Sequence, residues 1–172
     1  MLVARVAVWF AHRIIKEEAE VVINIPLLES AALLHDIDKA VQKLPHEHHP
    51  DTGVRLLSEA GFTDVADLVK THPLHAILDQ SIAPKTIEQK LLYLSDKMVK
   101  HSIITVDERF ALWRHENLPK EAEQILDASY PKVKALEAEI CARIHIAPAD
   151  VSKLANIPET STMNVLRKEE SV

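Results

Sequence analysis

Glycine and cysteine are both scarce in this chain. Only 2 glycines, Gly53 and Gly61, occur in 172 residues, and sheets joined by tight hairpins usually need more glycine in their turns. The one cysteine, Cys141, excludes an internal disulfide and any metal site built from several thiolates, and it is typical of a reducing compartment. The composition therefore predicts an all-α protein, which we expect in the cytoplasm.

Long apolar runs and an excess of positive charge are also lacking. No stretch approaches the roughly 20 apolar residues of a membrane span, and the apolar start at 1–11 has no small-residue cleavage site. The formal net charge of -6 provides no general basic field for a nucleic-acid polymer, although it allows a local anion site. We therefore expect neither a membrane nor a nucleic-acid polymer as a partner.

Helical spacing of apolar residues, interrupted by proline and the two glycines, predicts a single helical bundle of about seven or eight helices. The predicted helices cover residues 2–22, 27–41, 50–61, 63–71, 84–101, 106–116 and 119–145, and Pro148 opens a short last one. We expect one domain over residues 1–156, with its core at 8–110 and C-terminal helices at 106–156. A flexible polar tail is expected at 157–172.

What the chain has in excess is histidine, with 10 residues, and one of these stands next to an aspartate. His35 and Asp36 lie in the segment LESAALLHDIDKA at 28–40. On a helix they point about 100° apart, so a metal ion between the two directions is within reach of both side chains. One turn earlier, Ala31 and Ala32 leave room for an ion. The pair alone is more typical of a polar helix end than of a metal site.

Two further residues make the pair more specific. His12 lies upstream on the first predicted helix, at a distance that suits an antiparallel neighbour. Asp96 lies in KLLYLSDKMVK, at the edge of an apolar stripe, where a half-buried carboxylate is costly unless a cation or several donors hold it. Each residue alone has an ordinary structural explanation, but the ordered set indicates a metal site.

The order His12, His35-Asp36, Asp96 resembles the HD superfamily of metal-dependent phosphohydrolases, and the resemblance covers about residues 8–110. HDIDK is similar to the HDIGK form of the motif, with Asp38 in place of glycine. The resemblance implies an all-helical HD domain whose four ligands come from separate helices. The segment 48–72 is similar to the one that supplies two more histidines in binuclear members.

The resemblance implies one or two divalent transition-metal ions, such as Fe, Mn, Co, Ni or Zn, held by nitrogen and oxygen ligands. The implied metal ligands are His12, His35, Asp36, His49, His72 and Asp96. The residues implied in catalysis and phosphate binding are Asp36, Lys39, Lys97 and Arg109.

Several roles stay open at this stage. Lys39 and Lys97 have a solvated lysine as the alternative, and Arg109 has an ion pair with Glu108 or Asp107. Asp38 is either a general acid or a helix-terminal charge.

Residues 93–110 are similar to HD domains found fused to molybdenum-cofactor nucleotidyltransferase-like domains. The chain departs from the phosphodiesterases that cleave cyclic dinucleotides, because THPLH follows at 71–75 and Gly-Tyr-Pro is missing. This departure leaves the occupancy of a second metal site open, with His75 as an alternative ligand.

The expected activity is hydrolysis of a phosphate ester by a metal-activated water, on a nucleotide or small phosphorylated metabolite. Two alternatives are a di-iron oxygenase and a non-catalytic metal-binding regulatory domain. The long segment 119–145 suits core packing or a homodimer interface.

Overall fold

The computed structural model describes residues 1–151, and these form a helical bundle without a sheet. The seven α-helices are α1 (Leu2–Glu17), α2 (Ile25–Leu34), α3 (Asp51–Glu59), α4 (Thr63–Lys70), α5 (Ile87–Lys97), α6 (Val106–Arg114) and α7 (Lys120–Arg143). Short 3-10 helices occupy Ile37–Ala40 and Leu74–Leu78, and a 3-10 turn covers 148–151. An isolated antiparallel bridge joins Val99 and Ile103. The all-α prediction is confirmed.

The core of the bundle lies between α1, α2, α4 and α5, which pack against one another, while α7 covers α5, α6 and the 3-10 helix Leu74–Leu78. Phe10 and Ile14 of α1 are fully buried there. Leu91 and Leu94 of α5 are fully buried as well, as the predicted apolar stripe requires. None of the described helices is both long and apolar enough to span a membrane.

The first two helices end earlier than predicted. α1 stops at Glu17 rather than near residue 22, because Glu18 takes an extended backbone conformation. α2 starts at Ile25, where the Asn24 side chain accepts a hydrogen bond from the Leu27 amide and Pro26 lies in the first turn, where its missing N–H is not needed. It ends at Leu34 rather than near residue 41.

The shorter α2 changes the setting of the candidate metal ligands. The prediction that His35 and Asp36 lie within a helix is wrong. His35 is the residue that follows the last helical position, and Asp36 already has φ -106° and ψ 19°. Both side chains therefore project from a helix end, where the last backbone carbonyl groups have no partner in the helix.

The remaining boundaries agree within a few residues with the sequence. Gly61 has φ +84° after α3, a left-handed conformation that favours glycine at a helix end. The prediction of a flexible tail at 157–172, and the last residues of the expected domain, lie outside the described residues.

The start of α5 generates a stability prediction, because α5 carries Asp96 near its end. The Thr86 hydroxyl accepts a hydrogen bond from the Gln89 amide, and the Gln89 side chain returns to the Thr86 amide. We expect Thr86→Ala to lower the free energy of unfolding by about 1 kcal/mol in urea denaturation. Thr63→Ala is the matched control, because Thr63 begins α4 without a side-chain cap, and we expect it to change stability by less than about 0.5 kcal/mol. Equal losses in both variants would contradict this reading.

Candidate metal centre

Five of the six predicted metal ligands converge at one end of the bundle. Their backbone positions share one property, since each lies at or beside the end of a helix. They are His35 and Asp36 after α2, His49 shortly before α3, His72 after α4, and Asp96 at the penultimate position of α5. Asp36, His49 and His72 offer ligand atoms that lie within 4.8 Å of one another. His35 and Asp96 adjoin this group through Asp36.

The carboxylate of Asp36 lies between two sets of side chains. Its Oδ2 atom is 3.3 Å from His35 Nε2, and the same nitrogen is 3.4 Å from Asp96 Oδ1. Its Oδ1 atom is 3.9 Å from His49 Nε2 and 3.9 Å from His72 Nε2. One oxygen therefore faces His35, whose Nε2 also lies close to Asp96, and the other oxygen faces His49 and His72.

Two of the histidines are oriented by the helix ends that precede them. His35 Nδ1 is 2.8 Å from the Ala32 carbonyl oxygen, and His72 Nδ1 is 2.6 Å from the Val69 carbonyl oxygen. A carbonyl only accepts, so Nδ1 carries the hydrogen in both rings. Both carbonyl groups lie in the last turn of their helices, because α2 and α4 end one or two residues later, and the Val69 carbonyl also accepts from backbone amides. In both rings Nε2 is thereby left to face the cluster.

The Nε2 atom of His72 shows that the site fits a metal ion. It is buried without a hydrogen-bond partner among the described residues, and the side chain is only 1% exposed. Burial, reinforced by the charge of Lys97, lowers the pKa of His72 to about 3. A neutral ring with a buried free lone pair is an unfavourable arrangement unless a cation binds it.

The electrostatics around His35 also favour a cation. Burial opposes charge on its ring, but hydrogen bonds and the charges of Asp36 and Asp96 outweigh burial and raise the pKa of His35 to about 9. Burial likewise opposes ionisation of Asp36, yet hydrogen bonds to His35 and Lys39 hold its pKa below the usual range. The ionised carboxylates of Asp36 and Asp96 thus both lie next to the His35 ring. Nitrogen and oxygen donors of this kind suit divalent transition metals.

His12 does not join the cluster. Its side chain is exposed on α1, and among the described residues it forms no ion pair with either carboxylate. The metal role implied for His12 therefore has no support from its position.

Lys39 and Lys97 both contact the carboxylates, from opposite sides. The Lys39 amine donates to Asp36 Oδ2 at 2.7 Å, and its side chain is 65% exposed, so it lies on the solvent side. Lys97 is fully buried, where its amine donates to Asp96 Oδ2 and to the His72 carbonyl and lies over the Tyr93 ring. Lys97 therefore contacts the predicted ligand Asp96 from the protein interior and does not face solvent.

Arg109 has an unusual environment on α6. Its Nε and Nη1 atoms are buried without a hydrogen-bond partner among the described residues, and its guanidinium lies over the Trp113 ring, 4.4 Å from the centroid. The acidic neighbours considered from the sequence are engaged elsewhere. Glu108 takes part in the capping box of α6, and Asp107 is bound by side chains of α7. The charge of Arg109 also contributes to lowering the pKa of the buried Lys97 amine, after burial itself, so the two cations are neighbours.

Asp38 is buried beside one of the predicted ligands. Its side chain is 0% exposed, and both carboxylate oxygens are 3.0 Å from His49 Nδ1. It lies in the first turn of the 3-10 helix Ile37–Ala40, and its role as a general acid stays a prediction. The only sequence signal for this contact was an acid in place of the glycine of the HDIGK form. His75, the alternative ligand, is exposed and does not belong to the group around Asp36.

Two histidine substitutions test this description of the centre. We expect His72→Ala to weaken binding of Mn²⁺ or Co²⁺ by more than the roughly 10- to 100-fold typical of losing an outer partner, because it removes a buried donor atom. His12→Ala is the matched control and is expected to bind metal like the wild type. Equilibrium dialysis with elemental analysis measures both. Equal losses in the two folded variants would mean that His12 is a ligand after all.

Comparison with known proteins adds one finding. A family model described as HD domain matches residues 3–144. No curated protein and no solved structure matches the chain significantly.

Proposed function

The chain belongs to the HD domain family, and on that premise we propose that it is a metal-dependent phosphohydrolase acting on a nucleotide or a small phosphorylated metabolite. Proteins of this family are generally metal-dependent phosphohydrolases. The substrate class rests on the size of a single small domain and on the chemistry of the centre. Residues 93–110 of the chain are similar to HD domains fused to molybdenum-cofactor nucleotidyltransferase-like domains. This narrower likeness is part of the same proposal, and it identifies no substrate.

The position of Asp36 carries this proposal. One of its oxygens lies near His35, which also contacts Asp96, and the other lies near His49 and His72, so the carboxylate stands between two groups of candidate ligands. Pairs of metal ions are typical of phosphoester-cleaving centres. In the proposed centre, His35, Asp36 and Asp96 would hold one ion, and His49 and His72 together with Asp36 would hold the other. When bound, such ions lower the pKa of a water molecule and neutralise charge on the phosphoryl oxygens.

The side chains around the centre perform the other tasks of hydrolysis. Lys39 lies at the solvent side and reaches Asp36, so in the proposal its amine turns to a phosphate oxygen once a metal ion balances the carboxylate. Lys97 neutralises Asp96 and fixes its direction through a buried hydrogen bond. Arg109, with donors that no acidic side chain uses, binds a further phosphate oxygen.

The central test is a substitution of the bridging carboxylate. Asp36→Asn keeps the shape of the side chain but removes its charge, and we expect a loss of about 100- to 1000-fold in phosphatase rate. The assay supplies Mn, Co, Ni or Fe in turn, with nucleoside phosphates, sugar phosphates and p-nitrophenyl phosphate as substrates. Asp67→Asn is the matched control, because Asp67 is exposed on α4. Full activity of folded Asp36→Asn would end the proposal.

The same assay separates the alternatives from the sequence. A coloured iron protein that consumes oxygen would favour the di-iron oxygenase. A protein that binds metal but hydrolyses no phosphate ester under any metal would favour the regulatory domain. No contact among the described residues favours either of them.

A second substitution tests the role of Arg109. We expect Arg109→Met to lower kcat/KM by about 10- to 100-fold, because it removes a charged donor with two or more N–H groups from the phosphate. Metal binding should stay unchanged, since Arg109 contacts no ligand. Arg114→Met serves as the control on the same helix, because Arg114 is exposed and pairs with Asp127. If the two variants retain equal kcat/KM, Arg109 does not bind the substrate.

A further inference from the structure

The contact between Asp38 and His49 is an unusual way to hold a histidine. Asp38 lies in the 3-10 helix Ile37–Ala40, where its carboxylate is fully buried. A buried carboxylate is costly unless it is paired and hydrogen-bonded. Its partners among the described residues are His49 Nδ1, 3.0 Å from both oxygens, and the Lys43 amine at 3.7 Å. The carboxylate is therefore directed at the imidazole ring.

The position of His49 in the chain explains why a side chain, rather than a backbone carbonyl, orients its ring. His35 and His72 each follow a helix and use the backbone carbonyl three residues earlier, in the last helical turn. His49 instead lies in the connection 41–50 and precedes α3, so no helix end stands behind it. Without such a carbonyl, the ring needs another acceptor to set its orientation. Asp38 provides that acceptor.

Packing of α3 against the 3-10 helix Ile37–Ala40 keeps Asp38 and His49 close together. A Cβ atom added at Gly53 would lie 3.2 Å from Ile37 Cγ2 and 3.7 Å from Asp38 Cβ. α3 approaches the segment of Asp38 closely because Gly53 has no side chain, and α3 begins two residues after His49. The close approach of these two backbone segments therefore favours the contact between Asp38 and His49.

We propose that Asp38 is a positioning residue that directs His49 Nε2 at the second metal ion and sets the affinity of that ion. The inference rests on the proposed function for the two-ion centre. A carboxylate can only accept from Nδ1, so the hydrogen stays on Nδ1 and the Nε2 lone pair faces Asp36 and His72. A carboxylate partner also makes the ring a stronger donor to a metal than a carbonyl partner does.

This role matters more here because the second ion has few protein ligands. His72 is followed by Pro73 rather than by another histidine, and among residues 1–151 the ligand atoms that lie together are those of Asp36, His49 and His72. A site with three ligands depends strongly on how well each one is oriented. Asp38 thereby strengthens the ligand that has no helix end to orient it.

Two variants of Asp38 separate charge from shape. Asp38→Asn keeps the size of the side chain but loses the charge, and Asp38→Gly restores the residue of the HDIGK form and removes the acceptor. Both are studied as the full chain, first without metal and then titrated with Co²⁺, whose visible absorption reports each ion bound. The His49 tautomer is read from long-range ¹H–¹⁵N NMR correlations, assigned with His49→Gln. Asp67→Asn is the matched control.

We expect the wild type to show an Nδ1–H tautomer at His49 and to bind two Co²⁺ ions. In Asp38→Gly the tautomer should shift toward Nε2–H, and the second ion should bind about 100-fold more weakly, with the first unchanged. Asp38→Asn should weaken the second ion about tenfold. Unchanged second-ion affinity in both variants, or a wild type that binds one ion only, would overturn the inference. A wild type that behaves as expected but cleaves no phosphate ester would support the inference and contradict the proposed function instead.

Discussion

The carboxylate of Asp36 is the group on which the geometry of the centre depends. One of its oxygens lies next to His35, and the other lies 3.9 Å from the Nε2 atoms of both His49 and His72. This is possible only because α2 ends at Leu34, so that the side chain projects past the helix end instead of along its side. A helix continued by one turn would carry the carboxylate away from α4 and α5. The place where α2 stops is therefore part of the site.

The helix ends also orient the imidazole rings, without the need for long polar networks. A helix leaves its last carbonyl groups unpaired, and a histidine just beyond the end can satisfy one of them with its own N–H. His35 and His72 both do this with the carbonyl three residues earlier. The same hydrogen bond that satisfies the backbone fixes the tautomer and leaves Nε2 free. Stability and function are thus served by one contact.

Charge balance divides the surroundings of the centre into two sides. On the buried side, Lys97 compensates Asp96, which lets an ionised carboxylate exist in the interior. On the solvent side, Lys39 is exposed, and Arg109, whose Nε and Nη1 atoms are buried, has no hydrogen-bond partner for them among the described residues. A chain with a formal net charge of -6 can thereby present a locally positive approach to an anion. This contrast supports a small phosphorylated substrate.

Much of the fold and of the candidate site could be predicted from the sequence. Scarce glycine and helical spacing indicated the all-α bundle, and the ordered motif identified five of the residues that converge. His12 is exposed and outside the group around Asp36, which sequence order could not reveal because it does not say which face of α1 packs inward. Helix ends were misjudged by several residues where no proline or glycine marked them, as at Glu17 and Leu34.

The sequence by itself determined the helical class, the family and the ligand types, because these follow from residue identity and from spacing along the chain. The tertiary structure alone decided which ligands meet, which nitrogen of each ring faces the cluster, and that Asp38 binds His49 rather than solvent. Those outcomes depend on distances of a few ångströms between segments far apart in sequence. Such distances are set by how helices end and pack, and local residue patterns do not encode them.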